Sequence, residues 1–250
     1  MSERRFFLEP SQINAGRAYL KDTDAYHVYK VLRLKRGDRI IVSDGVARSC
    51  YALLEQVDSG RVSCVIEGEI TVLSHDSPRI TLVQGLPKGD KMDLIVQKGV
   101  ELGLHGIIPL LSERVVVRLA EEKHVKRVER WQRIAMEAAK QCRRQDIPVI
   151  SHPQTWTQVL AEIPPEAVAI ATWEGETKES LKSFMGSNQK PDAIYYFIGP
   201  EGGFSSSEIE KAREYGVRPL TMGPLILRTE TAALAVAVML LYQWGGLGGD

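Results

Sequence analysis

One stretch of this sequence, Ile198-Gly199-Pro200-Glu201-Gly202-Gly203-Phe204, is the best guide to the fold. The apolar run 193–197 precedes it and is typical of a buried strand. Ser205 follows it, with Glu208 three residues further on, a spacing typical of a helix N-cap with a capping box. The chain is therefore predicted to pass from strand to helix through a loop whose glycines permit positive φ and close approach of a ligand to the main chain.

A second glycine-proline loop follows further along the chain, Met222-Gly223-Pro224-Leu225-Ile226-Leu227-Arg228-Thr229-Glu230-Thr231-Ala232, and it also leads into a predicted helix. Either loop alone favours the simpler interpretation of an ordinary tight turn. Together they resemble the cofactor loops of the SPOUT methyltransferases. The words Gly-Pro-Glu-Gly-Gly and Ile-Leu-Arg-Thr-Glu-Thr-Ala are similar to those of the RsmE family, whose members methylate N3 of one uridine in small-subunit (16S) ribosomal RNA.

Composition sets broad limits on the kind of protein. A length of 250 residues suits one large domain or two small ones, and 44% hydrophobic residues are enough for a substantial core. The 32 basic and 32 acidic residues balance, which argues against a uniformly basic nucleic-acid binder and leaves room for local patches.

The cysteines and histidines indicate no metal site. Cys50, Cys64 and Cys142 show no Cys-x-x-Cys spacing, and the five histidines are scattered, so we predict reduced thiols and no metal. The charged start of the chain is unlike a signal sequence, and the apolar run 232–241 is shorter than the roughly 20 residues that cross a bilayer. A cytoplasmic protein without a membrane segment is expected.

Residues 1–73 are predicted to be all-β. Asp44-Gly45 is typical of a tight hairpin turn between two strands, Asp58-Ser59-Gly60 indicates a second turn, and 27–33 could form a short helix. Short strands with turns this close together favour a small barrel. The resemblance implies a PUA-like RNA-binding barrel at this position.

Several basic side chains are candidates for phosphate contacts with RNA. The alternative is that they are solvated surface charges, which is the usual state of arginine and lysine. The RNA-binding candidates are Arg4, Arg5, Arg33, Lys35, Arg36 and Arg143.

The remainder of the chain is predicted to be α/β. A polar segment, 74–79, is the linker candidate, and the predicted domain 80–250 alternates strands and helices, which is typical of a mostly parallel sheet. The resemblance implies a SPOUT-type domain whose C-terminal part is threaded as a trefoil knot, and a homodimer with cofactor pockets near the subunit interface.

A long amphipathic helix is predicted over 121–145, with one apolar face and many basic residues. The first half carries interleaved acids and is interpreted as a solvated face. The end, 141–145, carries no acid and fits an RNA-facing or active-site edge.

The cofactor that the resemblance implies is S-adenosylmethionine. Neither a Gly-x-Gly-x-x-Gly fingerprint nor a Walker loop is present, which agrees with a sulfonium cofactor that carries no phosphate. A third strand end, at 172–175, is expected to complete the pocket. The implied cofactor-binding residues are Thr172, Trp173, Ile198, Gly199, Pro200, Glu201, Gly202, Gly203, Met222, Gly223, Leu225, Ile226, Leu227, Arg228, Thr231 and Ala232.

Methylation at N3 requires loss of the N3 proton and stabilisation of the negative charge that develops on the base. A guanidinium is always charged and donates in a planar fork, so Arg228 is the first catalytic candidate, with Arg114 or Arg144 as alternatives. Glu230 or Glu201 could orient the arginine or accept the proton. Glu230 could equally serve only as a helix N-terminal charge.

Three other functions stay open at this point. The chain could methylate ribose 2′-OH in transfer RNA, as other SPOUT enzymes do, or it could bind RNA without catalysis. A small-molecule enzyme on the same scaffold is the third, because a fold alone does not fix the substrate.

Overall fold

A computed structural model describes residues 4–46, 48–70, 77–114, 121–187 and 189–248. The chain divides into two compact units. The first comprises Met1–Ser74 with Ala139–Ile147, and the second comprises His75–Ala138 with Pro148–Asp250. The predicted linker lies partly outside the described residues, and the predicted domain limits stay a prediction. No local pattern in the sequence indicated that a short later segment joins the first unit.

The first unit contains a six-stranded sheet with the order β1-β4-β5-β6-β3-β2. All its ladders are antiparallel except the parallel pair of β1 and β4. The strands are β1 (Arg4–Phe7), β2 (Ile13–Asn14), β3 (Arg17–Lys21), β4 (Arg39–Ser43), β5 (Ser49–Val57) and β6 (Arg61–Glu69). A 3-10 turn (Pro10–Gln12), helix α1 (Asp22–Tyr26) and a π-helical turn (His27–Val31) complete it, so the helix predicted over 27–33 begins earlier than expected.

Both predicted hairpins of this unit are present. Asp58 accepts backbone N–H groups of Gly60 (2.9 Å) and Arg61 (2.7 Å), as expected for a tight turn. The Asp44-Gly45 connection is longer than predicted, because the next strand begins only at Ser49. There the Asp44 carboxylate accepts N–H groups of two following residues and organises a wider loop.

The added segment Ala139–Ile147 pairs with this hairpin loop. Ser43 Oγ donates to the carbonyl of Gln145 at 2.8 Å, and the N–H of Ile147 donates to the carbonyl of Gly45 at 2.9 Å. Helix α3 (Glu121–Cys142) ends within this segment, three residues earlier than predicted. Arg143 marks that end with a positive φ of 65°.

The second unit is built on a parallel sheet, which confirms the predicted α/β class. The order is β10-β8-β7-β12-β11-β13, with β9 also paired to β8, and every ladder is parallel. The strands are β7 (Arg79–Gly85), β8 (Gly106–Leu111), β9 (Val149–Ile150), β10 (Gln154–Thr155), β11 (Val168–Thr172), β12 (Ala193–Ile198) and β13 (Arg218–Leu220). The helices are α2 (Lys91–Leu102), most of α3, α4 (Trp156–Glu162), α5 (Leu181–Ser187), α6 (Ser206–Glu214) and α7 (Thr229–Gln243). The knotted threading stays a prediction.

The predicted capping box at the start of α6 is present and is part of a larger network. Ser205 Oγ accepts the N–H of Glu208, and the Glu208 carboxylate accepts the N–H of Ser205 at 2.9 Å. That buried carboxylate also accepts Trp156 Nε1 at 2.7 Å and the N–H of Glu113 at 2.9 Å. The chain leaving β12 is thereby fixed to two other elements.

Helix α7 is apolar, because much of its surface is buried against the sheet and α2. The hydroxyl of Tyr196, on β12, donates to the carbonyl of Ala233 inside this helix at 3.0 Å. Within the described ranges, no helix combines the length and apolarity needed to cross a bilayer.

Candidate active site

A cavity of about 860 Å³ lies at the carboxyl ends of three neighbouring strands. In the sheet, β11 lies between β12 and β13, and all three run parallel. The loops that follow them therefore meet at one edge of the sheet, where α/β proteins commonly bind ligands. The two glycine-proline loops are two of these three loops.

The cavity gathers nearly all the predicted cofactor residues. Of that set, only Gly202 and Thr231 lie outside the lining. The lining also includes residues that were not predicted to contact the cofactor, namely Lys91, Glu174, Glu176, Thr177, Phe204, Thr221, Pro224 and Thr229. Most of these are immediate neighbours of predicted residues, whereas Lys91 comes from a distant helix and no local signal pointed to it.

The first loop folds so tightly that Gly199 and Gly203 could not be replaced by residues with side chains. A Cβ on Gly199 would lie 3.0 Å from the backbone of Gly203, which itself has a positive φ of 66°. The loop closes with a hydrogen bond from the N–H of Gly203 to the carbonyl of Pro200 at 2.9 Å. These positions require glycine for packing and for backbone conformation, and the loop exposes main chain to the cavity.

Arg114, the first alternative catalytic arginine, supports this loop from outside. Its Nη1 donates to the carbonyl of Gly202 at 2.7 Å, and a Cβ on Gly202 would lie 3.3 Å from the Arg114 side chain. The catalytic role of Arg114 stays a prediction, and its observed hydrogen bond stabilises the glycine loop.

The second loop presents apolar side chains at the rim of the cavity. Leu225 and Ile226 are 77% and 84% exposed, and Gly223 has a positive φ of 110°. Exposed aliphatic side chains next to main-chain polar groups suit a flat, partly apolar ligand such as a nucleoside.

A buried threonine ties the two loops together. Thr229 Oγ1 donates to the carbonyl of Gly199 at 2.6 Å and accepts Gln84 Nε2 at 2.9 Å. Both side chains are buried. The start of α7 is therefore bonded to the ends of β7 and β12.

The ammonium group of Lys91 lies close to both candidate proton acceptors, Glu201 and Glu230. Its Nζ lies 2.8 Å from Glu201 Oε1 and 3.4 Å from Glu230 Oε2. The hydrogen bond to Glu201 is the main cause of a raised pKa for Lys91. Burial acts to raise the pKa of Glu201, but Lys91 and the N–H of Lys88 outweigh it and leave that pKa below its usual value. Glu201 is therefore a weak base.

Arg228 occupies the N-cap of α7 and is exposed beside the cavity. Its carbonyl accepts the N–H of Ala232 at 2.8 Å. Within the part of the chain that the structure describes, the guanidinium has no hydrogen bond or ion pair. The expected contact with Glu201 or Glu230 is not made, because both carboxylates face Lys91 instead.

The last catalytic alternative, Arg144, belongs to the first unit. Its guanidinium pairs with the Asp146 carboxylate, with Nη2 and Oδ2 2.6 Å apart, and its side chain is only 15% exposed. Two of the RNA-binding candidates have an unusual backbone conformation: Arg33 and Arg143 adopt positive φ angles of 54° and 65°. Arg143 is exposed, as are Arg4, Arg33, Lys35 and Arg36.

Arg5 differs from the other RNA-binding candidates because it is half-buried. Its Nη1 donates to the buried Ser49 hydroxyl at 2.8 Å, and burial lowers the pKa of the guanidinium. The strand pattern explains this, because successive residues of β1 point to opposite faces. Arg5 is thus engaged within its own unit.

No group of three or more potential metal-binding side chains lies together in the described ranges.

Replacing Lys91 by methionine should destabilise the protein in a pH-dependent way. The pKa of Glu201 is lowered in the folded state, so its pairing stabilises the fold above the ordinary carboxyl pKa of about 4.3. That contribution disappears as the pH falls through the lowered value. Urea midpoints should therefore fall for Lys91→Met at pH 7, with a smaller difference near pH 3.

Lys91→Arg keeps the positive charge and serves as the control, with a midpoint near that of the wild type. An equal loss at both pH values would mean that Lys91 acts through packing instead of charge.

Comparison with known proteins follows the division into two units. A family model described as an RNA methyltransferase domain matches residues 75–241, and one described as an RNA methyltransferase PUA domain matches residues 20–67. The chain is 34% identical to the Bacillus subtilis ribosomal RNA small subunit methyltransferase E, over 99% of each protein. It is 32% identical to the Synechocystis protein of the same name, over 91% of this chain and 74% of that protein.

Solved structures agree. The Neisseria gonorrhoeae ribosomal RNA small subunit methyltransferase E, bound to S-adenosylmethionine, superposes with a TM-score of 0.86 at 31% identity, over 99% of this chain and 100% of that one. A Legionella pneumophila structure with bound S-adenosylmethionine gives a TM-score of 0.81 at 30% identity, over 99% and 100% of the two chains. These matches agree with the PUA-like domain, with the parallel α/β domain that follows it, and with both loop sequences. The chain therefore belongs to the RsmE family of ribosomal RNA small subunit methyltransferases.

Proposed function

We propose that this protein transfers the methyl group of S-adenosylmethionine to N3 of a uridine in 16S ribosomal RNA. The observation that carries the proposal is the cavity where three strand-end loops meet, two of which bear the sequences similar to the family. A relative that matches 99% of this chain is named ribosomal RNA small subunit methyltransferase E, and the N. gonorrhoeae structure of that name holds S-adenosylmethionine. A ribosomal substrate, free or assembled in the small subunit, fits the expected cytoplasmic location.

The charges of the cavity suit this cofactor. S-adenosylmethionine carries a positive sulfonium and a positive ammonium group. The lining holds the carboxylates of Glu174, Glu176 and Glu201 and two cations, Lys91 and Arg228. Glu201 pairs with Lys91 and Glu176 pairs with Arg213, so Glu174 is the lining carboxylate without an ion pair among the described residues. That carboxylate suits the ammonium or sulfonium group of the cofactor. Backbone groups of the glycine loop and the side chains of 225–227 would hold adenine and ribose.

In the reaction, the methyl carbon leaves sulfur and bonds to N3, the N3 proton departs, and neutral S-adenosylhomocysteine remains. The base becomes anionic as the proton leaves. Arg228 lines the cavity and has no partner among the described residues, so it stabilises this charge directly, without an orienting carboxylate. Glu201 lines the cavity, but its lowered pKa makes it a poor base, so proton removal is assigned to Glu230, which contacts the same Lys91.

The target uridine has to be unpaired or extruded, because N3 lies on the Watson–Crick edge. The PUA-like unit would bind the flanking RNA. Its exposed basic residues are the candidates, and Arg5 is a weaker candidate than these because it is half-buried and bonded to Ser49.

A homodimer is part of this proposal. Helix α7 leaves an apolar face exposed, with Val238, Met239 and Tyr242 at 40%, 36% and 71%. Contiguous exposed apolar residues of this kind are typical of interaction surfaces, and a second copy of the chain is the partner that the family resemblance implies.

The direct test is incubation of the purified protein with S-adenosylmethionine and small subunits from cells that lack it, followed by digestion to nucleosides. N3-methyluridine is the expected product. Arg228→Ala should lower kcat by about 100-fold or more, as expected for loss of a group that stabilises transition-state charge, while cofactor affinity changes little. Arg228→Lys should recover part of the rate.

Arg79→Ala is the matched control, because this exposed arginine begins β7 at the opposite edge of the sheet. A 2′-O-methylated product would contradict the proposed position, and unchanged turnover of Arg228→Ala would remove that residue from the mechanism.

For the dimer, Tyr242→Asp should shift the protein from dimer to monomer in sedimentation experiments, because a charge is placed on the apolar face. Tyr215→Asp is the control, since Tyr215 is 54% exposed but lies outside α7. A monomeric wild type, or a dimer that survives Tyr242→Asp, would contradict the proposed interface.

A further inference from the structure

The first unit contains a separate polar groove of about 480 Å³. Its residues come from β3, from the ends of β5 and β6 that meet at the Asp58 turn, and from the loop before β4. Of these residues, only Arg36 was predicted from the sequence to contact RNA.

The groove lies on the outer face of the sheet. Ala18 and Leu20 of β3 point into the core, so Arg17 and Tyr19, which alternate with them, point outward. In β6, Val62 and Cys64 belong to the core, so Arg61 and Ser63 point outward by the same alternation. Tyr19 and Ser63 are directly opposite each other in the antiparallel ladder, so they share this face.

A β-bulge shapes the rim of the groove. The register of β5 against β6 shifts between Leu54 and Gln56, so an extra residue is inserted there. Glu55 and Gln56 consequently both line the groove. Bulges of this kind commonly re-aim side chains next to binding sites.

Three arginines of the groove outnumber its two carboxylates, and Asp58 stays charged because the backbone hydrogen bonds of its turn lower its pKa. The Glu55 carboxylate pairs with Arg17 at 3.3 Å, and the Asp58 carboxylate accepts two backbone N–H groups of its turn. Two guanidiniums stay available to a ligand. Arg61 lies over the Tyr19 ring, 4.9 Å from its centroid, and Arg36 has no partner among the described residues.

The hydroxyl of Ser63 is the most informative group in the groove. The residue is only 7% exposed, and its Oγ has no hydrogen-bond partner within the described ranges. Buried polar atoms are almost always hydrogen-bonded, and leaving one unsatisfied costs stability. An unpartnered hydroxyl that lines a groove with two available guanidiniums points to a ligand that accepts hydrogen bonds and carries negative charge.

We propose that this groove binds one nucleotide of an RNA strand. The phosphate lies between the guanidiniums of Arg36 and Arg61 and accepts a hydrogen bond from the Ser63 hydroxyl. The base stacks on the surface formed by the Arg61 guanidinium and the Tyr19 ring. Guanidinium and aromatic planes are the usual stacking partners of unpaired RNA bases. The inference rests on the proposed function in one respect only, that the strand is RNA.

The test measures binding of the full-length protein to a fluorescein-labelled, uridine-rich single-stranded RNA by anisotropy, without cofactor. The double variant Arg36→Ala/Arg61→Ala should bind at least about tenfold more weakly. Its plot of log K against log salt concentration should be shallower by about 0.7 for each phosphate that the variant no longer neutralises. Arg48→Ala is the matched control, because Arg48 is an exposed arginine of the same unit, paired with Glu69 outside the groove.

Ser63→Ala separates binding from folding. Removing an unsatisfied buried hydroxyl should leave the urea midpoint unchanged or raise it, while RNA affinity falls. A double variant that binds RNA as Arg48→Ala does, with the same salt dependence, would overturn the proposal, and so would full affinity in Ser63→Ala. Because no methyl transfer is measured, a failure of the proposed activity would not be mistaken for a failure of this site.

Discussion

The candidate active site depends on one buried hydroxyl. Thr229 Oγ1 donates to the carbonyl of Gly199 and accepts the side-chain amide of Gln84, so one atom bonds the start of α7 to the ends of two adjacent strands. The Gln84 and Thr229 side chains are buried, where water does not replace a missing partner, which makes their pairing costly to break. The position of Arg228 follows from it, since Arg228 immediately precedes the threonine and caps the same helix. The same hydroxyl thus fixes both the loops that form the cavity and the position of Arg228 in its lining.

The glycines around this contact make the close packing sterically feasible. A Cβ on Gly85 would lie 2.5 Å from Pro200, and one on Gly199 would lie 3.0 Å from the backbone of Gly203. Side chains at these positions would push the loop away from Thr229. Lys91 adds an electrostatic restraint, because its ammonium group pairs with both Glu201 of the loop and Glu230 of α7. The result is a cavity of about 860 Å³ that is lined by three strand-end loops and by Lys91.

The features that could be predicted from the sequence are those that local patterns encode. The strand before the glycine loop, the Ser205 capping box and the parallel α/β class were correct because apolar runs and caps act over a few residues. The features that were missed depend on contacts between distant residues. Lys91 meets its two carboxylates only after the sheet has formed, the segment Ala139–Ile147 joins the first unit through a hairpin about a hundred residues earlier, and the groove at Ser63 needs three strands and a bulge. The engagement of Arg5 with Ser49 has the same origin, since its partner lies on another strand.

The most direct test of the role of this hydroxyl is a calorimetric titration of S-adenosylmethionine into Thr229→Val, with Thr229→Ser as the control that keeps the hydroxyl. Valine has nearly the same shape but removes the donor to the Gly199 carbonyl and the acceptor for one N–H of the Gln84 amide, whose other bond goes to the Gly85 carbonyl, at a cost of roughly 1–3 kcal/mol. We predict a folded Thr229→Val protein whose Kd for the cofactor rises by about tenfold, since each 1.4 kcal/mol corresponds to about that factor, and a Thr229→Ser protein close to the wild type. A folded Thr229→Val protein with the affinity of the wild type would contradict the claim that this hydroxyl organises the site.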